Sequence, residues 1–262
     1  MVDIKFIHGD CLEIMPTLAD KSVDLTVTSP PYENLRTYNG NSQFDFEGIA
    51  KELFRVTKDG GVVVWVVGDA TINGSETGTS FKQALYFKEI GFNLHDTMIY
   101  KKLKPVPIDS RTAKRYTSDF EYMFVFSKGR IATCNYIRVP TKHGGKKAAC
   151  CQRNADGSLR LDRRLKTQNH IVADDKIKGN VWEYASHKKS NHPAPFPLQL
   201  ATDHILSWSN EGDTVLDPFT GSGTTCKAAK ELGRNFLGFE INPEYCKIAE
   251  RRIAQEVLDF AS

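Results

Sequence analysis

The spacing of hydrophobic positions changes in a regular way along the first hundred residues. Ile4–Ile7 is a short apolar run leading into Gly9-Asp10 and reads as a strand, while Leu12–Leu18 has helical spacing. Val23–Thr28 is rich in β-formers and stops at Ser29-Pro30-Pro31-Tyr32, since proline cannot donate to a ladder. Phe46–Val56 carries apolar residues at 46, 49, 50, 53, 54 and 56, close to helical spacing. Lys58-Asp59-Gly60-Gly61 punctuates it, and Val62–Val67 is a continuous run suited to a strand buried on both faces. Phe81–Ile90 reads as a helix closed by Gly91, and Phe92–Tyr100 and Phe120–Phe126 as two further strands.

The middle of the chain loses this order. Residues 101–118 and 128–190 are polar, basic and poorly periodic, with turn signals at Gly144-Gly145-Lys146-Lys147 and Asp156-Gly157, and read as insertions that carry little core. Regular order returns at His192-Pro193-Ala194-Pro195-Phe196-Pro197 and the helix Leu198–Trp208. Strand Thr214–Leu216, helix Thr224–Leu232, strand Asn235–Phe239 and helix Pro243–Leu258 follow. Strands alternating with helices predict an α/β fold with a mostly parallel sheet covered on both faces.

Composition narrows the class. The chain has 262 residues, 40% hydrophobic and 26% charged, which excludes a disordered chain, a collagen-like repeat and a small disulfide scaffold. The longest apolar run, Val62–Val67, is far short of the ~20 residues needed to span a bilayer. Met1-Val-Asp-Ile-Lys lacks the pattern of a secretory signal, so the six cysteines are expected as reduced thiols in a cytoplasmic protein without membrane partners. The net charge of +3 hides a strong asymmetry. Residues 101–190 hold 21 Lys and Arg against 8 Asp and Glu; the remainder holds 14 against 24. An acidic body with a concentrated basic segment is the footprint of a nucleic-acid binder, and a solvated basic loop is the blander reading.

Two segments carry candidate chemistry. Asp217-Pro218-Phe219-Thr220-Gly221-Ser222-Gly223-Thr224-Thr225 lies between a strand and a helix, where glycines admit a ligand to the backbone and a helix start offers N–H groups. A dinucleotide fingerprint needs a third glycine at 226, where this chain has Cys226. Glu240 ends the next strand, 19 residues after Gly221, where a Rossmann-like sheet places the carboxylate that holds ribose hydroxyls. Ser29-Pro30-Pro31-Tyr32 stands at a strand's carboxyl end, with prolines fixing carbonyl directions and a tyrosine offering a flat stacking surface. A glycine turn with a surface glutamate, and a rigid turn with a buried tyrosine, are the plain structural alternatives.

Together these segments resemble the DNA amino-methyltransferases, and the resemblance spans nearly the whole chain. Ser29–Tyr32 is similar to the family's catalytic tetrapeptide, Asp217–Thr225 to its cofactor loop, and Glu240-Ile241-Asn242-Pro243-Glu244-Tyr245 to the ribose-binding strand end. His8-Gly9-Asp10-Cys11 resembles the acidic segment near the adenine, His192–Pro197 the segment lining the cofactor pocket, and Phe120–Lys128 a strand motif on the substrate side. The order, with the catalytic segment first and the cofactor loop last, is that of the permuted beta group, which argues against the protein-glutamine and small-molecule methyltransferases.

The resemblance implies a Rossmann-like class I S-adenosylmethionine-dependent fold with circularly permuted motifs. Its catalytic half would span 1–127 (with the basic loop 101–118), a basic target-recognition insertion 128–190, and the cofactor half 191–262. Ser29, Pro30, Pro31 and Tyr32 would be catalytic. The cofactor would meet Asp10, Cys11, Phe196, Pro197, Asp217, Pro218, Phe219, Gly221, Ser222, Gly223, Thr224, Glu240 and Ile241, with Asp217 against the methionine ammonium. Serine in the first catalytic position points to cytosine N4, where Asp or Asn mostly marks adenine N6. Adenine N6, and a non-catalytic DNA-binding regulator, stand as the alternatives. The substrate would be duplex DNA, with or without a cognate restriction endonuclease, and monomer and homodimer are both open. A carbon-5 methyltransferase is excluded because no cysteine follows a proline.

Other candidates are weaker. Lys101, Lys102 and Lys104 read equally as phosphate contacts or solvated charges. His143, Cys150 and Cys151 lack zinc spacing, and no metal is expected. Trp182 and Tyr184 read as packing of the insertion onto the body rather than as base-stacking rings, and His192 as a structural residue of its proline-rich turn.

Overall fold

The computed structural model describes residues 2–31, 44–105, 107–109, 114–146, 152–153, 158–160, 171–185 and 197–259. Its first strand, β1 (Ile4–His8), is followed by a single turn of helix, α1 (Cys11–Ile14), which Pro16 converts into a 3₁₀ turn over Met15–Thr17. The helix expected to reach Leu18 is therefore shorter. β2 (Val23–Thr28) runs as the sequence predicts. α2 (Phe46–Val56) starts at Asp45, whose carboxylate accepts the Gly48 N–H at 2.9 Å, and buries Ile49, Ala50, Leu53 and Val56 along one stripe.

β3 (Thr57–Val67) begins five residues before the apolar run. Lys58-Asp59-Gly60-Gly61 does not break it, because Gly60, at φ +83°, takes a left-handed conformation and lets the strand continue through a register shift. α3 (Thr79–Glu89), β4 (Asn93–Lys102), β5 (Phe120–Ser127), β6 (Val181–Tyr184), α4 (Leu198–Trp208), β7 (Thr214–Asp217), α5 (Thr224–Glu231), β8 (Asn235–Glu240) and α6 (Pro243–Asp259) complete the main sheet and its helices, beside short paired strands of two or three residues.

The eight strands form one sheet in the order β1-β8-β7-β2-β3-β5-β4-β6. Every pairing is parallel except those of β5, which runs against both β3 and β4. The expected α/β class with a mostly parallel sheet is what is observed. Helices α1–α3 share a core with Val63, Trp65, Phe124 and Phe126, where the Phe87 and Phe126 rings stack at 4.5 Å. Helices α4, α5 and α6 pack in sequence as the second layer.

By contacts the chain divides into two units, Met1–Asn135 with Asn180–Ser262, and Tyr136–Gly179. In the second, Arg138–Pro140 pairs antiparallel with Asp175–Ile177, and Arg138 grips Asp175 through two nitrogens at 2.9 and 2.7 Å. The stretch 128–190 does contribute to the core, contrary to expectation. Val181–Tyr184 is the edge strand of the main sheet, with Trp182 and Tyr184 each 5% exposed between outward-facing neighbours. Four alternating residues inside a basic segment are too few for periodicity to reveal.

Candidate active site

β7 leads through α5 to β8 on one side, and β2 leads through α2 to β3 on the other, so the chain reverses its winding between β7 and β2. Crevices outside the carboxyl ends of strands at such a reversal are where open α/β sheets bind ligands. Both segments singled out in the sequence stand there. Ser29, Pro30 and Pro31 leave β2, with Pro30 buried and its two neighbours partly so. Tyr32 lies outside the described residues, as do Phe196, His192, Cys150 and Cys151. Pro197 is buried at the residue preceding α4.

The loop after β7 is tightly bonded. Thr220 donates its amide to Phe239 O at 2.9 Å and its hydroxyl to Asp217 O at 2.9 Å. A Cβ on Gly238 of β8 would collide with the Thr220 hydroxyl and the Phe236 ring, so that position must be glycine for the loop to close. Gly221 and Gly223 have φ of +53° and +83°, and a Cβ on Gly223 would press on Ala249 of α6 at 3.0 Å. Ser222 and Thr224 are buried under α6, and Arg252 Nη1 donates to Ser222 O and to the Oγ atoms of both, at 3.2–3.4 Å. Pro218 is buried, and the Phe219 ring packs against Phe44 at 5.8 Å and Trp65 at 6.3 Å.

Two carboxylates organise the site. Glu240 Oε2 accepts the Gly221 N–H and Oε1 the Asn242 N–H, both at 2.8 Å, leaving lone pairs on each oxygen for hydroxyl donors. Burial raises its carboxyl above the usual range, opposed by these backbone donors and by the charge of nearby His8. The Asp217 carboxylate is 1% exposed. Its Oδ1 accepts from Thr28 Oγ1 at 2.6 Å and the Phe219 amide at 3.1 Å, and its Oδ2 from Thr225 Oγ1 at 2.6 Å. Burial pushes it up to about 6 against the pull of these donors. The carboxylate thus ties two threonine hydroxyls and a backbone amide together.

The β1 end adjoins Glu240, since Gly9 donates to Glu240 O at 3.0 Å and His8 Nε2 lies 3.1 Å from Ile241 O. Asp10 caps α1 through the Leu12 amide at 2.8 Å. Cys11 is buried, its thiol pushed up to about 12 by desolvation and then by Asp10, which leaves it inert. Ile241 is exposed. Thr28, Gly238 and Arg252 were missed in the sequence, and Thr225 was visible only as the end of the glycine loop; for Thr28, a hydroxyl immediately before Ser29 was the one available signal.

Farther along the same edge, a cleft of about 830 Å³ is bordered by Asp69, Glu76, Lys114, Arg115, Tyr116 and Tyr122. Lys101 and Lys102 are ion-paired, to Glu183 at 2.8 Å and Glu121 at 2.7 Å.

The family model for the N6_N4 DNA methylases matches residues 23–251. The chain belongs to this DNA methylase family. It is 50% identical over 254 residues to the orphan methyltransferase M.BamHII of Bacillus amyloliquefaciens, covering 92% of each chain. It is 30% identical to the DNA adenine methyltransferase YhdJ of Escherichia coli (strain K12), covering 94% of this chain and 81% of that one. The fold matches TTHA0409 from Thermus thermophilus complexed with S-adenosyl-L-methionine, with a TM-score of 0.66, 26% identity and coverage of 97% and 94%.

As an N6_N4 DNA methylase the protein uses S-adenosylmethionine to methylate DNA. The donor set suits that cofactor, because Glu240 keeps acceptor capacity for hydroxyls and the glycine loop brings backbone beside it. Among the described residues no helix is long and apolar enough to cross a membrane.

Proposed function

We propose that this DNA methylase acts on the exocyclic N4 amine of cytosine in duplex DNA. The tetrapeptide opening on Ser29 carries the reading: it leaves the β2 end one residue after Thr28, whose hydroxyl is bonded to the cofactor-loop strand. An exocyclic amine conjugated with its ring is a poor nucleophile and is stacked inside the duplex, so the base is first flipped out, at a cost of a few kcal/mol. Tyr32 stacks on the extruded base. The Ser29 hydroxyl and the Pro30 carbonyl accept the amine hydrogens and turn its lone pair outward. S-adenosylmethionine would supply a methyl group from its sulfonium, whose sulfur departs as a neutral thioether; the methylated amine gives up one proton to solvent past these acceptors, and no covalent enzyme intermediate is needed. Positioning and fixed dipoles do the work.

On the cofactor side, Glu240 takes the ribose hydroxyls and Gly221 and Gly223 allow close approach. Pro218, Phe219, Ser222 and Thr224 shape the loop, and Asp10, Cys11, Phe196, Pro197 and Ile241 border the adenine. The basic stretch 128–190, with Tyr136–Gly179 as its compact part, recognises the target sequence. The orphan status in the name of the 50% identical relative supports action without a dedicated endonuclease.

Adenine N6 is the second reading, favoured by the 30% identity to a DNA adenine methyltransferase. A non-catalytic DNA-binding protein is disfavoured, because it would need neither segment intact. Purified Ser29→Ala and Tyr32→Ala proteins are expected to lose most methyl transfer; wild-type rates in both would remove the tetrapeptide from catalysis.

A further inference from the structure

The β7–β2 ladder pairs only Val215 with Leu25 and Leu216 with Thr26. Beyond it the two strands, which carry the two halves of the site, are joined by side chains. Thr28 donates to Asp217, and the same carboxylate receives the Phe219 amide of the cofactor loop and the Thr225 hydroxyl of the first turn of α5. Thr28 and Thr225 are fully buried and Asp217 nearly so. A buried carboxylate is a poor way to gain stability, since desolvation opposes it, and apolar residues of similar volume commonly serve better. What the acid does supply is direction: three donors fix three chain segments around one group.

We propose that Thr28 and Thr225, held by Asp217, are positioning residues that set Ser29 and Pro30 in register with the loop that holds the methyl donor. The inference rests on the proposed role of Ser29–Tyr32. Residue Thr28 is joined to Ser29 by one peptide bond, so losing its anchor shifts the hydrogen-bond acceptors of the target amine relative to the methyl group. Thr225 holds the opposite side of the same carboxylate, so its loss lets Asp217 rotate away from Thr28. Displacements of about 1 Å cost transfer rates up to about a hundredfold.

The test is steady-state kinetics with Thr28→Val, which keeps the shape and removes the hydroxyl, beside Thr28→Ser, which restores it. Thr28→Val is expected to lower kcat about tenfold or more while the Kd for S-adenosylmethionine changes less than twofold. Thr28→Ser is expected to recover kcat to within about twofold of wild type, a rescue that depends on the hydroxyl rather than on packing. Wild-type kcat in Thr28→Val, or equal loss in both variants, would overturn the brace. Should Thr28→Val fail to fold, Thr225→Val is read in the same way. Tyr32→Ala runs alongside: if it is inactive while Thr28→Val is normal, the brace alone fails, and if it is fully active the reading of the tetrapeptide fails.

Discussion

The Gly221 amide donates to Glu240 Oε2 at 2.8 Å, so the carboxylate at the end of β8 fixes the loop that follows β7. The second oxygen takes the Asn242 amide, which holds the carboxylate in one orientation. Each oxygen keeps a lone pair for the ribose hydroxyls that the proposed cofactor site assigns to it. Glu240→Ala removes both the acceptor and the loop anchor. Hydrogen bonds to a charged group contribute about 1.5–3 kcal/mol, so titration calorimetry is expected to show S-adenosylmethionine affinity weakened by roughly ten- to a hundredfold. Unchanged affinity would take Glu240 out of the cofactor site.

Asp217 gives a pH-dependent prediction. Its native carboxyl is pushed up to about 6 from a reference of 3.8, mainly by burial. Between those values the folded protein holds a proton that the unfolded chain has lost, so stability falls as pH rises. The favourable term is complete below pH 3.8 and gone above about pH 6. The penalty on the ionised form is about 3 kcal/mol. Asp217→Asn lacks this titration, so its melting temperature relative to wild type is expected to rise between about pH 4 and pH 7. A pH-independent difference in melting temperature would contradict the buried, ionising carboxyl.

Trp182 separates packing from base stacking. Its ring lies 4.8 Å from the buried His204 imidazole, and its strand neighbour Tyr184 donates to Asp203 at 2.7 Å. Trp182→Ala is expected to lower stability by about 3–5 kcal/mol in denaturant unfolding. DNA affinity per folded molecule should stay within twofold of wild type. A stable variant with weakened DNA binding would reverse the assignment.

DNA binding by a basic segment releases counterions, so log K is expected to fall linearly with log salt, by about 0.9 per phosphate contacted. Lys101 already pairs with Glu183 at 2.8 Å, and Lys101→Ala is expected to alter that slope by less than about one contact. A flat dependence in the wild-type protein would exclude phosphate contacts altogether.

The fold was legible where local pattern and tertiary role agree. Val23–Thr28 ending at Pro30, and Asn235–Glu240 ending in an acid after a glycine loop, could be read residue by residue because strand period and punctuation coincide. Tertiary context overruled local signals at Gly60-Gly61, where a turn signal lies inside β3, and at Val181–Tyr184, whose pairing with β4 joins segments about eighty residues apart. Within the site, Ser29 and Glu240 were visible as motif members. Thr28 was not, because a threonine near the end of a β-rich run is ordinary until the fold brings Asp217 within 2.6 Å. The same contact gives Asp217 a set of partners that its place beside a glycine loop did not reveal: two threonine hydroxyls and a backbone amide, gathered only by folding.

The most direct test of the central claim is mass spectrometry of nucleosides from mixed-sequence duplex DNA incubated with the protein and S-adenosylmethionine. The proposed chemistry at Ser29–Tyr32 predicts N4-methyldeoxycytidine as the new nucleoside. N6-methyldeoxyadenosine in its place would leave the fold and cofactor standing and contradict the assignment of the base.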